Sequence, residues 1–204
     1  MIAIIDYGLG NVLAFVHVYN RLNIAVKVAK VANDLVNATK LILPGVGAFD
    51  HAIRQLHRSG MRRPVEQLVF ENAMPVLGIC VGMQMLAESS EEGKLPGLGW
   101  IDGKVKKFDL SVMPRDTNLP HMGWNNVKPV VDGGLFKGME LNCRSYFLHS
   151  YYFECHHQSN ILAVADYGVQ FSCAVRQKNV YGVQFHPEKS HHFGSQLLKN
   201  FAEV

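Results

Sequence analysis

The feature that most narrows the fold is a series of short apolar runs, each of strand length, separated by segments of helical periodicity. "IAIID" (2–6), "AVKVA" (25–29), "KLILP" (40–44) and "MPVLGIC" (74–80) are the runs. Between them the glycine turn "YGLGN" opens an amphipathic helix reaching about Arg21. "GAFDHAIRQLHRSG" carries apolar residues at helical spacing and is stopped by Gly60, and "RPVEQLVFENA" reads as a further helix. Apolar strands that alternate with helices build a parallel sheet covered on both faces.

After Gly93 the pattern changes. "GKVKKF", "NNVKPV", "YFLHSYYF", "ILAVADY", "FSCAVRQ" and "VYGVQF" read as strands separated by turns, and "SHHFGSQLLKNFAEV" as a closing helix. With few helices to carry crossovers, antiparallel pairs are expected here. No repeat, low-complexity tract or linker divides the chain. The expectation is one α/β domain over residues 1–204, with a mixed, mostly parallel central sheet and helices on both faces.

Charge and cysteine usage exclude several function classes. A net charge of +3 is too small to argue for nucleic acid or a membrane surface. The one basic tract, "KVKKF" (104–108), reads as a solvated strand edge. No apolar run reaches the ~18–20 residues of a membrane span, and the N-terminus shows no basic region or cleavage site. Cys80, Cys143, Cys155 and Cys173 lack metal-type pairing, which points to reduced thiols and a cytoplasmic location. Cys155-His156-His157 with His149 is not read as a metal site, because adjacent strand residues face opposite ways. "YGLGN" is not read as a dinucleotide loop, because Leu13 stands at the third glycine position.

One cysteine is unlike the others. "GICVG" (78–82) places Cys80 between Gly78 and Gly82 straight after an apolar run. That is the G-x-nucleophile-x-G spacing of a strand-to-helix elbow, where small neighbours let strand and helix backbones approach. A helix starting near Val81 is expected to favour thiolate, with the Val81 N–H aimed where an oxyanion would form. A thiolate needs a base, and the base an orienter. "FHPEKS" offers His186, held extended by Pro187, and Glu188 two residues on, expected on the same side. "LILPGVGAF" ends a strand and turns through Gly45 and Gly47, where an N–H could face a ligand as a second oxyanion donor.

Together these segments resemble the class I (triad) glutamine amidotransferases, narrowing to glutaminase subunits of imidazole glycerol phosphate synthase. The matching stretches are "IDYGLGN", "LPGVGAF", "GICVGMQ", "PHMGWN", "FLHSYY" and "GVQFHPEKS", which span almost the whole chain. The resemblance implies Cys80 as nucleophile, His186 as base and Glu188 as its orienter. It implies Val46, Gly47 and Val81 around the oxyanion and glutamine. It also implies Gln84, His149, Ser150 and Tyr151 as holders of the glutamine backbone.

The implied substrate is L-glutamine, with no cofactor. The implied partner is a (β/α)8-barrel, HisF-like subunit that receives the ammonia in histidine biosynthesis. Trp124 and Lys189 are the expected docking face, and the two-glycine "PGVG" strand the expected gate. Val81 stands where leucine is usual and Ala14 where serine often follows "GN". "LGWIDGKVKKF", "YFECHH" and "SHHFGSQLLKNFAE" look closer to a paralogous branch supplying ammonia to a sugar amidotransferase in surface-polysaccharide synthesis. Two further readings stand beside these: a lone cysteine hydrolase acting on a peptide or ester, and a scaffold without catalysis.

Overall fold

Strands β1 (Ile2–Ile5), β3 (Lys40–Gly45) and β4 (Val76–Cys80) lie side by side and are buried along almost their whole length. The computed structural model describes residues 1–115, 117–139 and 143–204. In chain order the remaining elements are α1 (Val12–Arg21), β2 (Val26–Ala29), α2 (Phe49–Arg58), α3 (Arg62–Glu71) and the single turn α4 (Val81–Gln84). The strands β5 (Ser89–Ser90), β6 (Gly103–Lys107), β7 (His121–Pro129), β8 (Cys143–His149), β9 (Tyr151–Cys155), β10 (Ile161–Asp166), β11 (Gln170–Gln177) and β12 (Val180–Val183) follow, and α5 (His191–Glu203) closes the chain.

The strands run in the order β2-β1-β3-β4-β12-β11-β10-β7-β8. From β2 to β12 every pair is parallel, and from β12 onward every pair is antiparallel. The antiparallel part is as extensive as the parallel one, because the second half of the chain has hairpin connections in place of crossover helices. The chain moves one way from β1 to β2 and the other way from β3 to β4. Right-handed crossovers therefore put α1 and the α2–α3 pair on opposite faces. α5 shares the α1 face, where the Tyr19 hydroxyl donates to the Leu198 carbonyl at 3.2 Å.

Two details differ from the sequence reading. "YFLHSYYF" is not one strand: it breaks at Ser150, so β8 pairs with β7 while β9 crosses to β6 and β11. The basic tract in β6 is no free edge. It pairs with β9 on one side and β5 on the other, burying Val105 and leaving Lys104 and Lys107 in solvent.

Backbones pack closely at the C-terminal ends of β3 and β4. A Cβ on Gly45 would sit 2.2 Å from the Gly82 nitrogen, one on Gly78 2.6 Å from the Gly82 oxygen, and one on Gly82 2.0 Å from the Leu43 oxygen. Backbone meets backbone there, and no flexible side chain can move aside. Gly82→Ala is therefore expected to lower the unfolding free energy in denaturant melts by roughly 3 kcal/mol, the upper end of overpacking costs. An unchanged melt would mean that α4 shifts freely.

Candidate active site

Cys80 ends β4 and begins α4 with φ +56° and ψ −114°, outside the conformations that side-chain-bearing residues ordinarily adopt. Such a backbone costs on the order of 1–3 kcal/mol and persists only where its surroundings over-determine it. Here the glycine contacts and the Gly45↔Cys80 pairing hold it. Val81 opens α4, so its N–H has no carbonyl partner one turn back within the helix. The expected helix is a single turn, and the local amides at its start are what it offers to the site.

His186 lies three residues beyond the end of β12, in extended conformation. Its N–H donates to the Tyr146 carbonyl at 2.9 Å, and its carbonyl accepts from the Ser190 hydroxyl at 2.6 Å. The Ser190 hydroxyl in turn accepts the Tyr146 N–H at 3.0 Å, so the segment is tied to β8 at two points. Glu188 reaches His186 as expected, with Oε1 2.8 Å from Nδ1 and both side chains buried. The route differs: residues Pro187–Lys189 form a 3-10 turn, so the turn brings the carboxylate round and strand alternation plays no part. With Nδ1 committed to Glu188, Nε2 is left for the thiol. Burial pulls the His186 pKa down. The hydrogen bonds to the Cys80 sulfur and to Glu188 outweigh it and raise the pKa to about 10. The ring is therefore an imidazolium at neutral pH, hydrogen-bonded to the Cys80 sulfur.

These groups open into a cavity of about 300 Å³. Of the residues singled out from the sequence, it gathers Cys80 and His186 with Val46, Gly47, Val81, Gln84, His149, Ser150, Tyr151 and Lys189, while Glu188 lies behind His186. Trp124 does not line it. It stands on β7, partly exposed, stacked on His191 with ring centroids 5.1 Å apart. Four larger surface hollows, of about 690, 610, 510 and 500 Å³, do not include Cys80. Cys155-His156-His157 is engaged in separate contacts, His156 with Glu88 at 3.6 Å and His157 with Asp102 at 4.0 Å.

Sequence reasoning missed two polar side chains at the site, Gln184 and Glu92, besides the lining residues Pro120 and Leu148. Gln184 is fully buried, accepts from Gln84 Nε2 at 3.0 Å, and turns its own Nε2 toward the Cys80 sulfur at 3.9 Å. A lone amide in the apolar run "VYGVQF" was the available signal. Glu92 lines the cavity from a loop, and its Oε2 accepts the Phe49 N–H at 2.9 Å, capping α2. Asp50 in α2 reciprocates by accepting the Lys94 and Leu95 amides. Nothing local in the sequence marks that long-range clasp.

A thiol on a strained elbow, an imidazolium and a buried carboxylate can together form and break an acyl-thioester. The chain matches the class-I glutamine amidotransferase family over residues 3–204 and belongs to it. A solved glutamine amidotransferase structure superposes with a TM-score of 0.76, covering 99% of this chain and 97% of that one; at 20% identity this likeness shows the fold alone. Among relatives, imidazole glycerol phosphate synthase subunit HisH of Bdellovibrio bacteriovorus is 61% identical over 100% of both chains. The Leptospira interrogans protein of the same name is 50% identical, again over 100% of both.

A raised histidine pKa has a definite stability signature. The contribution of His186 is fully present below its unfolded pKa of about 6.5. It is lost as pH climbs through about 10. Nitrogen-15 NMR of labelled imidazoles should show His186 protonated at neutral pH in the parent. In Cys80→Ala its pKa should fall, because burial then faces only the Glu188 contact. An unchanged titration would detach the ring from the sulfur.

Proposed function

We propose that this chain is the glutaminase subunit of an imidazole glycerol phosphate synthase, releasing ammonia from L-glutamine for a (β/α)8-barrel partner in histidine biosynthesis. The observation that carries the chemistry is the meeting of Cys80, on its positive-φ elbow, with the His186–Glu188 pair at one cavity. The relatives' shared histidine-pathway name favours this acceptor over surface-sugar amidation.

Cys80 Sγ attacks the carboxamide carbon, and the carbonyl oxygen takes the charge beside the Val81 amide and the Val46–Gly47 peptide. The His186 imidazolium gives its proton to the departing nitrogen as the carbon–nitrogen bond breaks, leaving ammonia and a glutamyl thioester. Neutral His186 then takes a proton from water, whose oxygen attacks the thioester and frees glutamate and the thiolate. Glu188 holds the ring with Nδ1 protonated throughout.

Charge orients the substrate. Glu92 is the one acidic side chain lining the cavity among the described residues, and it suits the α-ammonium of glutamine. Gln84, His149, Ser150 and Tyr151 supply the remaining polar wall. Exposed Met122 and Trp124 on β7 and Leu148 on β8 form an apolar face beside the mouth, with Lys189 at its rim. That face suits a barrel collecting the ammonia, and docking there reaches the Val46–Gly47 gate.

In a histidine auxotroph lacking its own glutaminase subunit, the parent chain with the cognate barrel should restore growth without histidine, and Cys80→Ala should not. Glutaminase activity that no barrel subunit increases would instead favour a stand-alone hydrolase. Glu92→Gln keeps an acceptor for the Phe49 amide but loses the charge. It should raise KM for glutamine about tenfold with little change in kcat. An equal fall in kcat would move Glu92 out of substrate binding.

A further inference from the structure

His121 does not line the cavity, yet it is buried and bonded into the cavity's wall. We propose that His121 is a positioning residue that fixes the glutamine-holding corner at Ser150–Tyr151 by acting through His149. The inference rests on the glutaminase reading and adds to it a residue that never touches substrate.

Hydrogen-bond directions follow from one atom. The Tyr151 carbonyl oxygen can only accept, so His149 Nδ1, 2.7 Å away, carries the hydrogen. Burial holds both rings neutral, with the His121 pKa pushed down to about 4 and that of His149 to about 3. His149 Nε2 is then bare and accepts, so His121 Nδ1, 2.9 Å from it, is the donor. His121 Nε2 must in turn accept, and Asn125 Nδ2 donates to it at 3.2 Å. The other Nδ2 hydrogen of Asn125 goes to the Asp166 carbonyl at 2.7 Å, and Asn125 Oδ1 accepts the Asn126 N–H at 2.7 Å. Each tautomer and amide orientation in the chain is thereby fixed.

Two features make the arrangement specific. His121 and Asn125 are four residues apart on one strand, too far to bond along a regular β-strand. Gly123 between them has φ +128° and puts no side chain in the way. The His121 ring is also sandwiched, 4.8 Å from Phe147 and 4.0 Å from Tyr167 by centroids, at 21° and 23°. Stacking sets the ring plane, and the plane aims Nδ1 at His149.

The far end of the chain is the reactive sulfur. The Tyr151 carbonyl accepts a second bond, from Gln84 Nε2 at 3.2 Å. Gln84 Nε2 also donates to Gln184 Oε1, and Gln184 Nε2 faces Cys80 Sγ. One carbonyl thus joins the donors behind the nucleophile to the histidine pair on β7 and β8. Without the His121 donor, His149 Nε2 is an unpaired buried acceptor, and its ring can turn away from Tyr151.

The test separates ring stacking from the N–H. Glutamine binding is measured by calorimetry in a Cys80→Ala background, with the full chain bound to its barrel subunit. His121→Phe keeps the stacked ring and loses the donor, and should weaken binding about tenfold or more. His121→Gln supplies an amide N–H and should recover to within about threefold of the parent. Equal binding by His121→Phe and the parent, or a folded His121→Gln no better than His121→Phe, would overturn the proposal.

A second measurement needs no variant at position 121. Nitrogen-15 shifts of the parent should show both His121 and His149 as neutral rings protonated at Nδ1. An Nε2-protonated His149 would overturn the assignment. Failure of the Cys80→Ala parent to bind glutamine would instead overturn the glutaminase reading, and the positioning role with it.

Discussion

Everything at the cavity depends on one backbone contact, where the end of β3 passes within van der Waals reach of the start of α4. Leu43 and Gly45 on one side and Gly82 on the other leave no room for a Cβ. With the strand pinned to its neighbour by the Gly45↔Cys80 pairing and the next turn pinned by Gly82, the reversal falls on Cys80 alone. Its φ of +56° is the geometric remainder of those two constraints. At that elbow the side chain, still buried, lines the cavity. The same contact sets Val46 and Gly47, just beyond β3, and Val81, at the start of α4, around the cavity that Cys80 lines.

The antiparallel half answers a different need. Its inward polar groups, His121, His149, Gln184 and Ser145, are buried where a parallel sheet would have placed apolar side chains. Three of them satisfy one another through the Tyr151 carbonyl and its neighbours. A polar network of this kind is costly when incomplete and rigid when complete. Rigidity is what a small zwitterionic substrate requires, since its recognition rests on a few well-aimed donors and acceptors.

Much of this was legible in the sequence because it is local. Unbroken apolar runs located β1, β3 and β4, and the spacing of Gly78, Cys80 and Gly82 marked the elbow without reference to any distant residue. His186 and Glu188 were found by proximity, although the expected strand alternation proved to be a 3-10 turn. Long-range partners escaped notice. Glu92 is fixed by the Phe49 amide, whose carboxylate contact spans 43 residues of chain, and His121 is fixed by a histidine 28 residues away. The break at Ser150 was hidden because "YFLHSYYF" has uniform strand propensity. The change of partner from β7 to β6 there is decided by tertiary packing.

β12 is the last strand of the chain yet lies in the interior of the sheet, parallel to β4 on one side and antiparallel to β11 on the other. It is the seam between the two halves, and the segment leaving it carries Gln184, His186 and Glu188 to a cysteine 104 residues away from that glutamine. Sheet completion and assembly of the reactive centre therefore depend on one set of long-range contacts, the kind that slows folding. Without that seam, nothing brings His186 and Glu188 to Cys80. A molecule with the seam open holds a cysteine without its base, and so has no means of spending substrate.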